Sequence, residues 1–420
     1  MEASLKLGNG NWAVKEDSLL AYDDVGGKFR PLPFDFTRAS SATVVNKQGL
    51  IETVGSGIPR IDFSDDVNGA LLLEPQSTNL ITQSEDYSSF TQNGCSVISD
   101  NISSVGGGLA DKIQEDSLNT NKHIRPQSIS ITSGQSYILS AWFKTDNCDV
   151  IALREGSSSG DSITYKFSTG TTSTNGTRWT TLNVVNFSNG WRRIDAKYTS
   201  TSTASMNFRV HLLGNNYNQL INPNPSTYVY QGDGASGVYM WGLMVEQNSY
   251  PNSYIPTSGA ISTRLRDIAT NSGIGSLIGQ TEGSVFFDLN TTLKNYSVIS
   301  ISDGTNANRV VFYFSDVLNQ IASYITKSNV NSSTISSIVN SYPNSNYKVV
   351  IKYNSTGFYI FANGGLIGTI LSNYSFPNNT LNEIKLSSPD NSNFFEGKVK
   401  NIKVYNQSLT DSEAIALTTI

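Results

Sequence analysis

Apolar residues along this chain come in short alternating runs and never in long stripes. Ser136–Phe143, Ile163–Phe167, Trp179–Val185, Trp191–Tyr198, Met206–Leu213 and Gly237–Val245 run five to nine residues each, with Gly-, Ser- and Asn-rich turns between them. That spacing predicts β-strands rather than helices. In Ser136–Phe143 both alternating sets, Tyr137-Leu139-Ala141-Phe143 and Ser136-Ile138-Ser140-Trp142, carry apolar groups, so this strand is expected to be covered on each side. The rhythm restarts with Ser284–Leu289, Tyr296–Ser302, Arg309–Ser315, Ile321–Thr326, Tyr347–Tyr353 and Gly397–Tyr405, and the Asn363-Gly364 step marks a hairpin. One helix is predicted, a short one over Ser412–Leu417 capped by Thr410 or Asp411. No period of fixed length repeats, which excludes the rung pattern of a parallel β-helix.

The fold class read from this pattern is all-β: two β-sandwich domains of the jelly-roll kind in tandem, behind an extended N-terminal region. Residues 1–79 form the N-terminal arm and hairpin region, 80–267 the first sandwich, 268–282 a polar Gly- and Ser-rich linker, and 283–420 the second sandwich. Phe34–Leu80 is the densest stretch of turn formers, with Asn46, Gly49, Gly55, Gly57 and Gly69 between short apolar pieces. Arg38 and Arg60 face a pool of carboxylates there, Glu52, Asp62, Asp65, Asp66 and Glu74, so structural Arg–carboxylate pairs are expected to lock the loops.

The segments "RASSATVVNKQGLIE", "GIPRIDF" and "LLLEPQSTNLI" resemble a stretch that recurs in bacteriophage virion proteins, especially head and tail fibres or spikes. In those proteins it precedes a jelly roll similar to a carbohydrate-binding module. Tyr239–Asp267, "YMWGLMVEQNSYPNSYIPTSGAISTRLRD", resembles the usual end of that module. The C-terminal "FFEGKVKNIKVYNQSLTDSEAIALT" resembles the last strand and terminal helical turn of laminin-G-like, concanavalin A-like domains. The resemblance implies a structural protein on the exterior of the particle, made in the host cytoplasm. It further implies attachment to other virion proteins through the N-terminal region, a homo-oligomer with a trimer favoured, and host surface glycan as ligand. Modules of both kinds often carry a structural calcium ion, for which Asp65–Asp66, or Asp233 beside Gly234, are candidate oxygen donors.

Composition narrows the function classes. Hydrophobic residues are 38% and charged residues 15%, while Gly (34), Tyr (20) and Phe (18) are abundant, as in proteins built of short strands and many turns. The net charge of −5 and the absence of any Lys/Arg run exclude a duplex-binding surface. No apolar run reaches membrane-spanning length, and "MEASLKLGNGNW" shows no basic-then-apolar signal pattern. Cys95 and Cys148 have no metal or redox spacing, and they can pair only if the fold brings their Cα atoms close. The two histidines, His123 and His211, sit in no nucleophile elbow, and HExxH, P-loop and CxxC patterns are absent. No enzyme is indicated.

Sugar binding asks only for aromatic faces beside hydrogen-bonding side chains. Trp142, Trp191 and Trp241 lie inside strand runs and are assigned to packing. The candidate glycan-binding residues are those in loops: Tyr217, Tyr228 and Tyr230 in the long Gly214–Gly237 segment, and Trp179 with Arg178. The expected function is non-catalytic adhesion to host glycans. The alternatives are a purely structural assembly or decoration role and a glycan-degrading, tailspike-type enzyme, which would need only two suitably spaced carboxylates.

Overall fold

The computed structural model describes residues 1–15, 18–23, 28–156, 160–218, 220–291, 297–315, 320–338 and 345–420. Tyr296, the first residue of one expected strand, and Gln219 of the expected binding loop lie outside them; that strand is described as Ser297–Ser302. The protein is all-β, with a single α-helix among the described residues, Asp411–Thr418, and no helix long and apolar enough to cross a membrane. Thr410 caps that helix. Its hydroxyl accepts from the Glu413 backbone N–H, and the Glu413 carboxylate accepts from the Thr410 backbone in return.

Two compact units form, and their boundaries differ from those read in the sequence. One unit joins residues 1–47 and 53–75 to 265–420; the other holds 48–52 and 76–264. The N-terminal stretch is therefore not a separate extended arm. Leu5–Gly8 pairs antiparallel with Gly397–Tyr405, Leu5 opposite Val404 and Leu7 opposite Ile402. Ala70–Leu73 pairs with the same long strand, Leu71 opposite Val399. Ile268–Ser272, expected as linker, pairs with Lys28–Thr37 on one side and Glu383–Lys385 on the other. Period-two alternation explains the docking: Phe34 and Phe36 are fully buried while Asp35 and Thr37 are exposed. These side chains join Leu5, Leu7, Leu71 and Leu73 in one core with Phe287, Phe312, Val399 and Ile402.

The second unit is a sandwich of two six-stranded antiparallel sheets. One sheet runs in the order Thr91–Asn93, Lys122–Arg125, Phe208–Gly214, Val150–Glu155, Ser162–Lys166, Thr171–Asn175. The other runs Cys95–Ser103, Leu109–Glu115, Gly237–Glu246, Ser136–Asp146, Arg192–Thr199, Trp179–Asn186. Between them lies a core that includes Ile124, Leu139, Phe143, Leu153, Ile194, Val210 and Met240. Trp142 and Trp241 pack on the far side of the second sheet, their rings 5.3 Å apart and both against Tyr254, so Ser136–Asp146 is covered on each face as expected. Gly242 permits that packing. Its φ is +69°, a strand irregularity occurs there, and a Cβ would stand 2.7 Å from the Trp142 ring.

Arg38 and Arg60 are buried in ion pairs, as expected, but they share a partner the sequence reading left out. The Asp267 carboxylate accepts from Arg38 Nη1 at 3.0 Å through Oδ1. Its Oδ2 accepts from Arg60 Nη2 and from the Glu74 backbone N–H at 2.9 Å. Glu74 Oε2 takes Arg60 Nη1 at 2.7 Å. Burial works to lower the Arg60 pKa, yet the charges of Asp267 and Glu74 outweigh it and raise the value. Asp62 belongs to a different pair: with Asp65 it holds Lys398, at 2.8 and 2.7 Å. Glu52 lies exposed on the strand Ile51–Val54. Both cysteines are free thiols, Cys148 buried and Cys95 partly so.

Removing one member of a buried ion network strands the others, at a cost of about 3–5 kcal/mol, whereas an exposed pair contributes about 0–1 kcal/mol. Asp267→Asn should therefore lower the urea-unfolding free energy of its unit by about 3–5 kcal/mol. Asp65→Asn, on the solvent side of Lys398, should cost under about 1 kcal/mol. Equilibrium unfolding followed by far-UV circular dichroism checks the difference.

Candidate functional site

In the six-stranded sheet that begins with Thr91–Asn93, Ile124, Leu153 and Val210 point into the core. Alternation then sends His123, Arg125, Ala152, Arg154, Arg209 and His211 to the opposite face. The segment after Phe208–Gly214 lies over one end of that face, where Tyr217 packs on Val150, Ala152 and Leu213 with Tyr228 against them. This is the long loop singled out in the sequence. Asn121 pins it, donating from Nδ2 to the Pro225 and Tyr228 carbonyls, each at 2.9 Å.

The loop closes one side of a groove of about 360 Å³ lined by Glu115, Asn147, Asn215, Asn216, Tyr228, Tyr230, Gln231 and Asp233, among others. Tyr228 and Tyr230 stack with ring centroids 5.6 Å apart and planes 25° from parallel. Beneath them Glu115 is nearly fully buried, accepting the Tyr230 hydroxyl at 2.5 Å and the Asp233 backbone N–H at 2.9 Å. Burial, with the Glu115 charge adding to it, raises the Tyr230 pKa, so the ring stays neutral. The Lys122 ammonium sits 4.9 Å from the Tyr230 ring centre while bonded to Asp116 at 2.6 Å. Two fixed aromatic rings beside side-chain amides form a wall that can stack a sugar ring and bond its hydroxyls.

Of the sequence candidates, Tyr228 and Tyr230 line this groove. Tyr217 is buried behind them, its hydroxyl given to the Asn222 carbonyl at 2.6 Å and its pKa pushed up to about 12 by burial. Trp179 and Arg178 are corrected. Trp179 is 1% exposed, wedged between Tyr198 and Phe208 in the sandwich core, because its strand position faces inward. Arg178 is held by Asp161 and Glu155, both at 2.8 Å, and braces the sheet edge. Asp233, the candidate oxygen donor, lines the groove and has a local role in its turn. Its carboxylate caps its own turn, accepting from Ala235 N, Ser236 N and the Ser236 hydroxyl, and those bonds hold it at about 2. Among the described residues no three His, Cys, Asp or Glu side chains converge as a metal site. Asn147, Asn215, Asn216 and Gln231 were missed; the "GNNYNQ" run was a visible signal for Asn215 and Asn216, while Asn147 and Gln231 stand in no such run.

The other unit carries a second groove, of about 350 Å³, which the sequence reading did not find. It is lined by Asn306, Arg309, Tyr313, Tyr324, Ser388, Asp390, Ser392 and Asn393 over Val298 and Val311. The Arg309 guanidinium stacks over Tyr324 at 5.2 Å, and Asn306 bridges Arg309 to Asp390. Bonds from Asn306, Ser388 and Ser392 hold the Asp390 carboxyl well below its usual range.

Both histidines lie on the face described above. Burial foremost, then the charges of His123, Arg154 and Arg209, push His211 well below its ordinary value. Burial, then Arg209, Arg154 and Arg125, bring His123 to about 4. In the unfolded chain each imidazole takes a proton near pH 6.5. Their contribution to stability is therefore complete above about pH 6.5 and is lost as pH falls towards 4. Thermal melts between pH 7 and pH 4.5 should show a steep fall in Tm, and His211→Gln should flatten it.

Comparison with known proteins agrees with the β-sandwich architecture. A family model described as "Concanavalin A-like lectin/glucanases superfamily" matches residues 284–414. No curated protein matches. Among solved structures, a carbohydrate-binding module, CBM40, of a Ruminococcus gnavus intramolecular trans-sialidase bound to alpha2,3 sialyllactose is 20% identical. That match covers 34% of this chain and 84% of the other, with a TM-score of 0.30. Mouse laminin alpha1 domains LG4-5 are 12% identical over 69% of this chain and 91% of theirs, at 0.25. A putative carbohydrate binding protein from Bacteroides ovatus is 10% identical over 73% and 82%, at 0.28. These three likenesses are too distant to carry an argument about function.

Proposed function

We propose that this chain is a non-catalytic glycan-binding protein, and that it serves as an adhesion component on the exterior of a bacteriophage particle. The observation that carries the binding half is the stacked Tyr228–Tyr230 pair set beside Asn147, Asn215, Asn216 and Gln231 in one open groove. The virion half draws on the resemblance of Arg38–Ile81 and Tyr239–Asp267 to fibre and spike segments. In this reading residues 1–47 contribute to attachment as part of a folded sandwich rather than as a free arm. Shallow grooves bind weakly, and several copies on one particle, a trimer being the favoured grouping, raise avidity through effective concentration.

A glycan-degrading role finds less support. Glycosidases need a carboxylic acid whose pKa is raised beside a second carboxylate. Here the tyrosine groove contains Asp233, held low by hydrogen bonds, and Glu115, occupied by the Tyr230 hydroxyl and the Asp233 backbone, while Asp390 of the other groove is likewise held low. Glu246, whose carboxyl is raised by burial, is sealed inside the sandwich against Ser77 and Asn252.

Tyr228→Ala should weaken binding to glycans selected on an array by about tenfold, about 1.4 kcal/mol. Host capsular polysaccharide incubated with the protein should release no new reducing ends. Unchanged affinity in the variant, or a rise in reducing ends, would sink the proposal.

A further inference from the structure

Resting on the glycan-binding reading, the chemistry of the same face narrows the class of sugar. Five basic or imidazole side chains lie together on it, contributed by three neighbouring strands. His123 stands directly opposite His211, and Arg154 directly opposite Arg209, across the strand Phe208–Gly214. Arg125 is two residues beyond His123 on the same face. The two imidazole rings stack at 4.7 Å, 24° from parallel. Like charges placed directly opposite across strands destabilise a sheet. Here the repulsion is evident: the pKa of Arg209 is lowered by burial and then by Arg125, and that of Arg154 by burial and then by Arg209.

Neither Arg125 nor Arg209 forms an ion pair among the described residues. Arg209 spends its bonds on neutral acceptors, Asn207 Oδ1 at 3.0 Å and the Gly156 carbonyl at 3.4 Å. The nearby carboxylates Glu155 and Asp161 are both bound to Arg178. Under His123, His211 is 1% exposed and neither of its ring nitrogens has a hydrogen-bond partner. Buried polar groups without partners are rare in native proteins. A concentrated basic face on a chain of net charge −5 is the complement of an anion. It is also joined to the tyrosine groove: His123 Nδ1 meets Asn121 Oδ1 at 2.9 Å, and Asn121 in turn holds the Tyr228 carbonyl.

We propose that this face selects acidic glycans, with a sugar carboxylate or sulfate engaged by Arg125, Arg209 and the His123–His211 stack while neutral sugar units occupy the tyrosine groove. The test is calorimetric titration of the full chain with three probes of equal length: an oligogalacturonate, a sulfated oligosaccharide and an uncharged oligosaccharide. At least one acidic probe should bind tenfold or more tighter than the uncharged one, and that margin should shrink between 50 and 500 mM salt, in the manner of screened charges, by about an order of magnitude. Which acidic probe wins separates carboxylate from sulfate. The paired substitutions Arg125→Gln and Arg209→Gln should erase the margin while leaving uncharged-probe binding in place, which also shows that the variant folds. Because the chain has only two histidines, their ring NMR signals give a second readout, and both should shift with the acidic probe. Equal binding of acidic and uncharged probes, or an undiminished margin in the double variant, overturns this inference alone. Failure of all three probes to bind overturns it together with the function proposed above.

Discussion

A single carboxylate joins parts of the chain that are far apart in sequence. Asp267 accepts from Arg38, from Arg60 and from the backbone of Glu74, so one side chain ties residues near 40, 60 and 75 to the start of the C-terminal segment. Taking two guanidinium groups out of water is costly, and only a geometry that satisfies both makes their burial tolerable. That requirement fixes where the early hairpins sit before the apolar side chains around them add their own, less directional, contribution.

The same physics explains what could and could not be read from the sequence. Strand existence was legible, since alternation and turn residues are local properties: Ser136–Phe143 and the Thr410-capped helix both form as expected. Strand partners were not. Leu5–Gly8 reads as part of an extended arm because its partner, Gly397–Tyr405, lies almost the whole chain away. Asp267 reads as the last residue of a module for the same reason. Trp179 reads as a loop aromatic beside Arg178, yet it opens the strand Trp179–Asn186, whose first position faces inward. The long loop with Tyr228 and Tyr230 was identifiable by its length and its prolines; of the amides beside them, Asn215, Asn216 and Gln231 belong to that same segment, whereas Asn147 comes from the end of a strand far away in sequence.

The candidate site combines two kinds of order. Tyrosines anchored by Glu115 and by packing provide a rigid surface that loses little freedom on meeting a ligand. The basic face beside it is a strained arrangement, with positive groups held together and an imidazole left without partners. Like charges opposed across neighbouring strands cost the sheet stability, which the core on its other face has to offset.

The strand pair Ser77–Asn79 with Ser262–Arg264 has an evolutionary consequence. The main crossings into and out of the unit that holds the tyrosine groove are hydrogen-bonded to each other, so that unit behaves as a cassette with neighbouring ends. Segments of this geometry can be exchanged or resized without rethreading their host. A lineage could therefore exchange that whole unit in one recombination event while its scaffold continued to fold as before.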